Sequence, residues 1–166
     1  TPGAGTIKLI PFLADQSFTI NSLAAYVVTG QAASNCQLAI YASDATSHLP
    51  TGAPLSNTGS IATTAAGAVS AALGANVSLT IGNIYWLAII GDTAGVVFTA
   101  SSAGSPAGKM IGDATLTNVV LNQSGYGGLS IAQTFGIWPT FSGATVFTRG
   151  SASDVAFMAY KIQSVP

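Results

Sequence analysis

His48 is the only histidine in this 166-residue chain, so any proton relay through an imidazole has to be built there. A hydrolytic triad would set it beside a hydroxyl nucleophile and an orienting acid. Asp44 and many serines are close at hand, yet His48 falls in a turn-rich segment just before Leu49-Pro50, and no Gly-x-Ser-x-Gly elbow occurs. The sequence therefore predicts a solvent-facing or turn-packing histidine. Glycoside cleavage needs two carboxyls opposed across a bond. The chain has no glutamate, and its acids are the scattered Asp15, Asp44, Asp92, Asp113 and Asp154. No catalytic residue is assigned, and the chain is expected not to be an enzyme.

The metal-ligating types are equally sparse. No His/Cys spacing fits zinc and no Asp-x-Asp-x-Asp-Gly loop fits calcium, so no metal site and no cofactor are assigned. An ion assembled at a subunit contact from Asp113, Asp92 or loop carbonyls is the one arrangement left open. Cys36 is the lone cysteine and lies in the apolar run Gln37-Leu38-Ala39-Ile40, which predicts a small buried hydrophobe rather than a reactive thiol. Sugar binding asks for an aromatic face with neutral or acidic hydrogen-bonding groups around it. Residues 122–141 supply these: Asn122, Gln123, Tyr126 and Trp138 are the candidate binding residues, with Gln133 and Phe141 beside them in a Gly/Ser-rich setting. The competing expectation is that Trp138-Pro139 and Phe135 pack the end of the fold or a subunit axis.

The elements that must position these groups are short strands. The most apolar stretch is Ile84 to Ile90, set between Gly82-Asn83 and Gly91-Asp92, and it has the length and content of a strand covered on both faces. Tyr85 and Trp86 then point to opposite sides, one toward Tyr41 and the other toward a facing sheet. Other predicted strands are Ile7 to Phe12, Ser17 to Asn21, Leu23 to Thr29, Gln37 to Tyr41, Val77 to Ile81 and Val155 to Ile162. Ser60 to Thr64 and Ala68 to Leu73 suit a hairpin around Ala65-Ala66-Gly67, and Val96 to Ser101 is expected to pair back onto the Ile84 strand. Ala42 to Pro54 is expected to be a loop. After Ser101 the chain turns rich in Gly, Ser, Thr and Asn, with apolar islands at Met110-Ile111, Thr117 to Leu121 and Val146-Phe147. No segment holds a capped helical period, so the fold class is all-β, a jelly-roll-like antiparallel β-sandwich forming a single domain over 1–166.

Composition adds a constraint on partners. Charged residues make up 5% of the chain against a usual quarter or so, and the formal net charge is −1. A monomer of this size exposes roughly 7,500 Å², which nine charged side chains must keep in solution; this predicts a surface partly hidden against copies of the same chain. Isolated bases remove the footprint that phosphate binding requires, so nucleic acid is not an expected partner. Apolar runs stay far below the roughly 20 residues of a spanning helix, so membrane insertion is not expected either. The start at Thr1-Pro2-Gly3, without Met, predicts a fragment of a longer protein.

One succession of motifs resembles a known family. Pro11-Phe12, Thr19, Val27-Val28-Thr29, Leu38-Ala39-Ile40-Tyr41, Gly52-Ala53-Pro54-Leu55, Gly59, Gly67, Leu79, Gly82 and Tyr85-Trp86-Leu87-Ala88 are similar, in order and spacing, to the receptor-binding domain near the C-terminal end of bacteriophage tail fibre and tailspike proteins. A weaker likeness continues through Gly125-Tyr126-Gly127-Gly128-Leu129 and the last strand. The chain differs in carrying Gly52-Ala53-Pro54-Leu55 where the family usually has Pro-Gly after the loop glycine. The resemblance implies a jelly-roll tip, normally homotrimeric, that attaches the virion to carbohydrate on the bacterial surface from the distal part of the fibre. Any depolymerase would then lie upstream. A structural, trimer-stabilising virion module and a carbohydrate-binding module of a secreted bacterial enzyme are the alternatives.

Overall fold

The computed structural model describes residues 4–99, 126–151, 156 and 158–165, with the backbone alone at 126, 127 and 149–151. The described residues are all-β and antiparallel. Along the chain the strands are β1 (Thr6–Leu13), β2 (Phe18–Thr29), β3 (Asn35–Ser43), β4 (Pro50–Asn57), β5 (Ile61–Ala62), β6 (Gly67–Leu79), β7 (Ile84–Gly91), β8 (Val97–Phe98), β9 (Tyr126–Ala132), β10 (Thr148–Ser151) and β11 (Met158–Ser164). The first sheet runs β10-β9-β1-β7-β3-β4 with β5 also on β3; the second runs β11-β2-β6 with β8 also on β2.

The pairing is nested. β1 pairs β7, β2 pairs β6, and β3 pairs β5, so the chain closes on itself from the outside inward. The two sheets face each other across one core. Phe18, Ile20, Leu23 and Val27 of β2 and Val77 and Leu79 of β6 meet Leu38 and Ile40 of β3 and Leu87 and Ile89 of β7. Alternation along each strand decides which residues point inward.

β7 is buried from Tyr85 to Gly91, as its unbroken apolar run predicts, with Ile84 partly buried at its start, and it sits between β1 and β3. Tyr85 faces the core between the sheets. Trp86 faces the other way, opposite Tyr41 and Pro11 in register, into a second cluster with Ile7, Leu9 and Leu129. Pro11 is tolerated in so central a strand because β9 pairs β1 only from Thr6 to Leu9, and the missing N–H falls beyond that ladder.

Several predicted elements are corrected by the structure. Ser17–Asn21 and Leu23–Thr29 form the single strand β2, with a bulge between Ile20 and Ser22. Residues 60–64 and 68–73 do not make a hairpin: β5 joins β3 in one sheet and β6 joins β2 in the other. The predicted strand 77–81 is the end of β6 only as far as Leu79, with Ile81 in the turn that follows, and the run at Gly74-Ala75-Asn76 is an irregularity within β6 rather than a break between strands. There the strand bends toward the first sheet, where Leu73 bridges Thr58 and the Ala75 amide donates to Ser56 Oγ at 3.0 Å. β8 pairs β2 instead of returning to β7.

The predicted loop 42–54 is a strand from Pro50 onward. β4 is an edge strand, which tolerates Pro50 and Pro54, and it bulges between its partners Ile40 and Ala42. The Gly/Ser-rich region after 101 also contains strands, β9 and β10, while the islands at 110–111 and 117–121 lie outside the described residues. The final strand is β11, described from Met158 to Ser164, with Ala156 in a β-bridge and residues 155 and 157 outside the described residues. Gly30, closing β2, lies where a Cβ would come within 2.5 Å of the Ala65 amide nitrogen, so this crossing requires glycine.

Candidate functional site

The outer face of the first sheet is roofed by residues 133–147. This cover has little regular structure, so its position depends on discrete ties. The Gln133 amide donates to the Gly5 carbonyl at 2.9 Å, Gly52 and Phe141 exchange two backbone hydrogen bonds of 2.9 Å each, and the Tyr41 hydroxyl donates to the Pro139 carbonyl at 3.0 Å. The Phe141 ring lies tilted against Tyr41, with centroids 4.7 Å apart, and edge-on to Phe147 at 5.0 Å. Gly52 reaches its partner with φ of 72°, a left-handed value that glycine accepts at little cost.

Beside the Gly52–Phe141 tie, the cover leaves a cleft of about 240 Å³ against the loop between β3 and β4. The loop contributes Asp44, Thr46, Ser47 and Leu49, β4 contributes Pro50 and Thr51, and the cover contributes Ser142 and Gly143. The loop is shaped by Asp44 itself. Its Oδ1 accepts from the Thr46 amide at 3.0 Å, the Ser47 amide at 2.8 Å and the Ser47 hydroxyl at 2.9 Å, the side-chain-closed turn that aspartate favours. Those bonds, the Ser47 amide first and its hydroxyl next, hold the Asp44 carboxyl below its ordinary range. His48 completes the turn at φ 57°, and its carbonyl accepts from the buried Trp86 indole N–H at 3.0 Å. The central strand therefore fixes the loop that forms the cleft.

The hydrogen-bonding capacity of this lining is only partly spent. Asp44 Oδ2 and the hydroxyls of Thr46 and Thr51 have no partner among the described residues. Ser142 Oγ accepts from the Ala144 amide at 3.3 Å, which leaves its hydrogen to donate. At this volume, below the roughly 300–1,000 Å³ of sites for drug-sized ligands, the cleft suits one small polar ring. Ser47 bonds directly to Asp44, and the His48 side chain makes no hydrogen bond among the described residues, so the three do not form a relay from hydroxyl through imidazole to carboxylate.

Those predicted site residues that are described do not line this cleft. Asn122, Gln123 and Asp113 lie outside the described residues. Tyr126 opens β9, its Cα opposite Ser151 of β10. Trp138 is half-buried in the cover, edge-on to Tyr41 with ring centroids 6.3 Å apart, and its Nε1 is buried without a partner among the described residues. Gln133 lies with Thr134 and Phe135 beside Asp92. Both Asp92 oxygens are occupied by Asn35, from its amide at 2.8 Å and its Nδ2 at 2.9 Å. Cys36 is fully buried between the sheets, and burial, reinforced by the nearby Asp92 charge, pushes its thiol up to about 12.

Sequence reasoning passed over Thr46, Ser47, Thr51 and Ser142 as site residues. The Ser/Thr density around Asp44 was the available local signal; the contribution of Ser142 depends on a tertiary tie that no local pattern encodes. Comparison with protein-family models, with curated proteins and with solved structures finds no match to this chain.

Proposed function

We propose that this chain is a non-enzymatic receptor-binding domain, a jelly-roll tip of a bacteriophage tail fibre that works as a homotrimer at the distal end of the fibre and attaches the virion to bacterial surface carbohydrate. The observation that carries this reading is the cleft at Asp44, whose unspent carboxylate oxygen and hydroxyls match the alternating donors and acceptors of a sugar ring. The nested pairing of β1 with β7, β2 with β6 and β3 with β5 is what rolling up one long hairpin produces, and it supports the jelly-roll assignment.

The outer face of the second sheet supports self-association. Half-exposed Tyr26 and Val28 and part-exposed Val97 stand there among small Ala, Ser and Thr side chains of β2 and β6. β2, β6 and β8 carry no charged side chain, and the charge among the described residues of this sheet is Lys161 of β11. With no aromatic ring in its lining, a single cleft is a weak binder. Three of them on one tip would gain avidity on a repetitive polysaccharide.

The set Tyr126, Trp138, Asn122 and Gln123 remains a separate proposal; within the described residues it rests on Trp138, whose ring is engaged with Tyr41.

Binding of the labelled domain to a panel of bacterial strains, before and after enzymatic removal of capsular polysaccharide, tests the reading. Binding lost with the polysaccharide is expected. A domain that forms trimers in sedimentation but binds no strain would instead be a fibre-stabilising module, and a monomer that binds isolated polysaccharide would be a carbohydrate-binding module of a secreted enzyme.

A further inference from the structure

The charge of the cleft narrows what it can hold. Asp44 is the one ionisable group in the lining, and its Oδ2 is an uncommitted acceptor; His48, four residues along in the same turn, lies near enough to act on the carboxyl but is not part of the lining. An ionised carboxylate only accepts, so the natural partner of Oδ2 is a ligand hydroxyl or ammonium; a ligand carboxylate has only the Thr46, Thr51 and Ser142 hydroxyls to draw hydrogen bonds from, and it draws them beside a like charge. Like charges at that range repel, and because the Asp44 carboxylate is open to solvent the repulsion is strongest at low ionic strength. The chain's formal net charge of −1 supplies no general cationic field to offset it.

We infer that the cleft accepts neutral sugars and rejects uronic-acid and sialic-acid residues, with Asp44 as the selecting group. Thr51 and Ser142, on opposite sides of the Gly52–Phe141 tie, then read hydroxyls of the same ring, while Leu49 and Pro50 offer a small apolar contact for its C–H face. This specificity rests on the receptor-binding reading above, and its test separates the two.

The test is titration of the isotopically labelled domain with methyl hexosides and with methyl hexuronides in the millimolar range, followed by amide NMR at low and at physiological salt. Neutral glycosides are expected to shift the Asp44–Thr51 and Ser142–Gly143 amides, and hexuronides to bind at least tenfold more weakly. Asp44→Asn retains an oxygen for the Thr46 and Ser47 amides, so the loop keeps its turn. This variant is expected to bring the two classes within about threefold, with the gap in the parent narrowing as salt rises. Equal binding of both classes by the parent, or a preference that Asp44→Asn leaves intact, overturns the inference and leaves carbohydrate recognition standing. Shifts confined to residues away from the cleft do the same. If no glycoside of either class binds while whole-cell binding persists, the inference falls and the receptor is not a sugar at this cleft; if cell binding fails as well, both readings fall.

Discussion

The two sheets solve the same problem differently. The first is covered on both faces, by the second sheet on one side and by the 133–147 cover on the other, and its central strand β7 is buried from Tyr85 onward. The second has a single covered face, and β6 alternates between partly buried and exposed positions over residues 67–72. A strand between two layers carries a continuous apolar run, while a strand with one wet face alternates. The difference also assigns roles. The doubly covered sheet holds loop and cover in register for the cleft, and the bare sheet is where self-association is proposed.

The largest expected effect lies on the covered side. Trp86→Ala removes a ring whose burial is worth on the order of 5 kcal/mol and frees the His48 carbonyl. It should cost about 3–5 kcal/mol in denaturant unfolding, while Trp86→Phe, which keeps most of the packing and loses the hydrogen bond, should cost about 1–2 kcal/mol. A small loss for Trp86→Ala would mean that the cover is not a second core.

A smaller effect concerns the core between the sheets. The folded thiol of Cys36 is raised above its ordinary value, so the folded state keeps a proton that the unfolded chain loses in alkali. Its contribution is fully present below the unfolded thiol's pKa near 9.0 and is lost as pH rises toward about 12. The slope is at most one proton, about 1.4 kcal/mol per pH unit. Stability measured from pH 8 to 10.5 should fall more in the parent than in Cys36→Ala, and a thiol reagent should label Cys36 only on unfolding. Rapid labelling of the native protein would place Cys36 outside the core.

The smallest effect on the isolated fold belongs to the bare sheet. Tyr26→Ser should change unfolding free energy by less than about 0.5 kcal/mol at concentrations where the chain is monomeric. It should nevertheless weaken self-association in sedimentation at micromolar concentration. A large stability loss in the monomer would show that this face is packed within the chain, and unchanged sedimentation would move the subunit contact elsewhere.

Much of the fold was legible where local pattern and final environment agree. Ile84 to Ile90 could be recognised because its apolar run ends in turn residues on both sides, and Tyr85 and Trp86 took the opposite faces that strand geometry requires. Pro50, Gly52 and Pro54 misled because an edge strand accepts residues that an interior strand would not. Gly74 to Asn76 misled because an irregularity within a strand and a break between strands use the same small residues, and Ala65-Ala66-Gly67 because a crossing between sheets and a hairpin turn do; only the partner strands distinguish them. The cleft was less legible still. Asp44 stood out as the acid beside His48, but the wall opposite it is delivered by Gly52 and Phe141 meeting across the fold. Trp138 had the chemistry of a sugar platform, and its partner Tyr41 lies in a distant strand.

The nesting of the strands also bears on how the chain can fold. Cys36 opposite Ile61 closes the shortest loop, Leu23 opposite Ala71 a longer one, and Ile10 opposite Leu87 the longest. Each doubling of an open loop costs only about 0.6 kcal/mol more to close, but a fold whose contacts are mostly remote in sequence has high contact order and folds slowly, in milliseconds to seconds. Both edges of β7 are paired only once β1 and β3 are in place. Until then the most apolar segment of the protein is open to association with other copies of the chain.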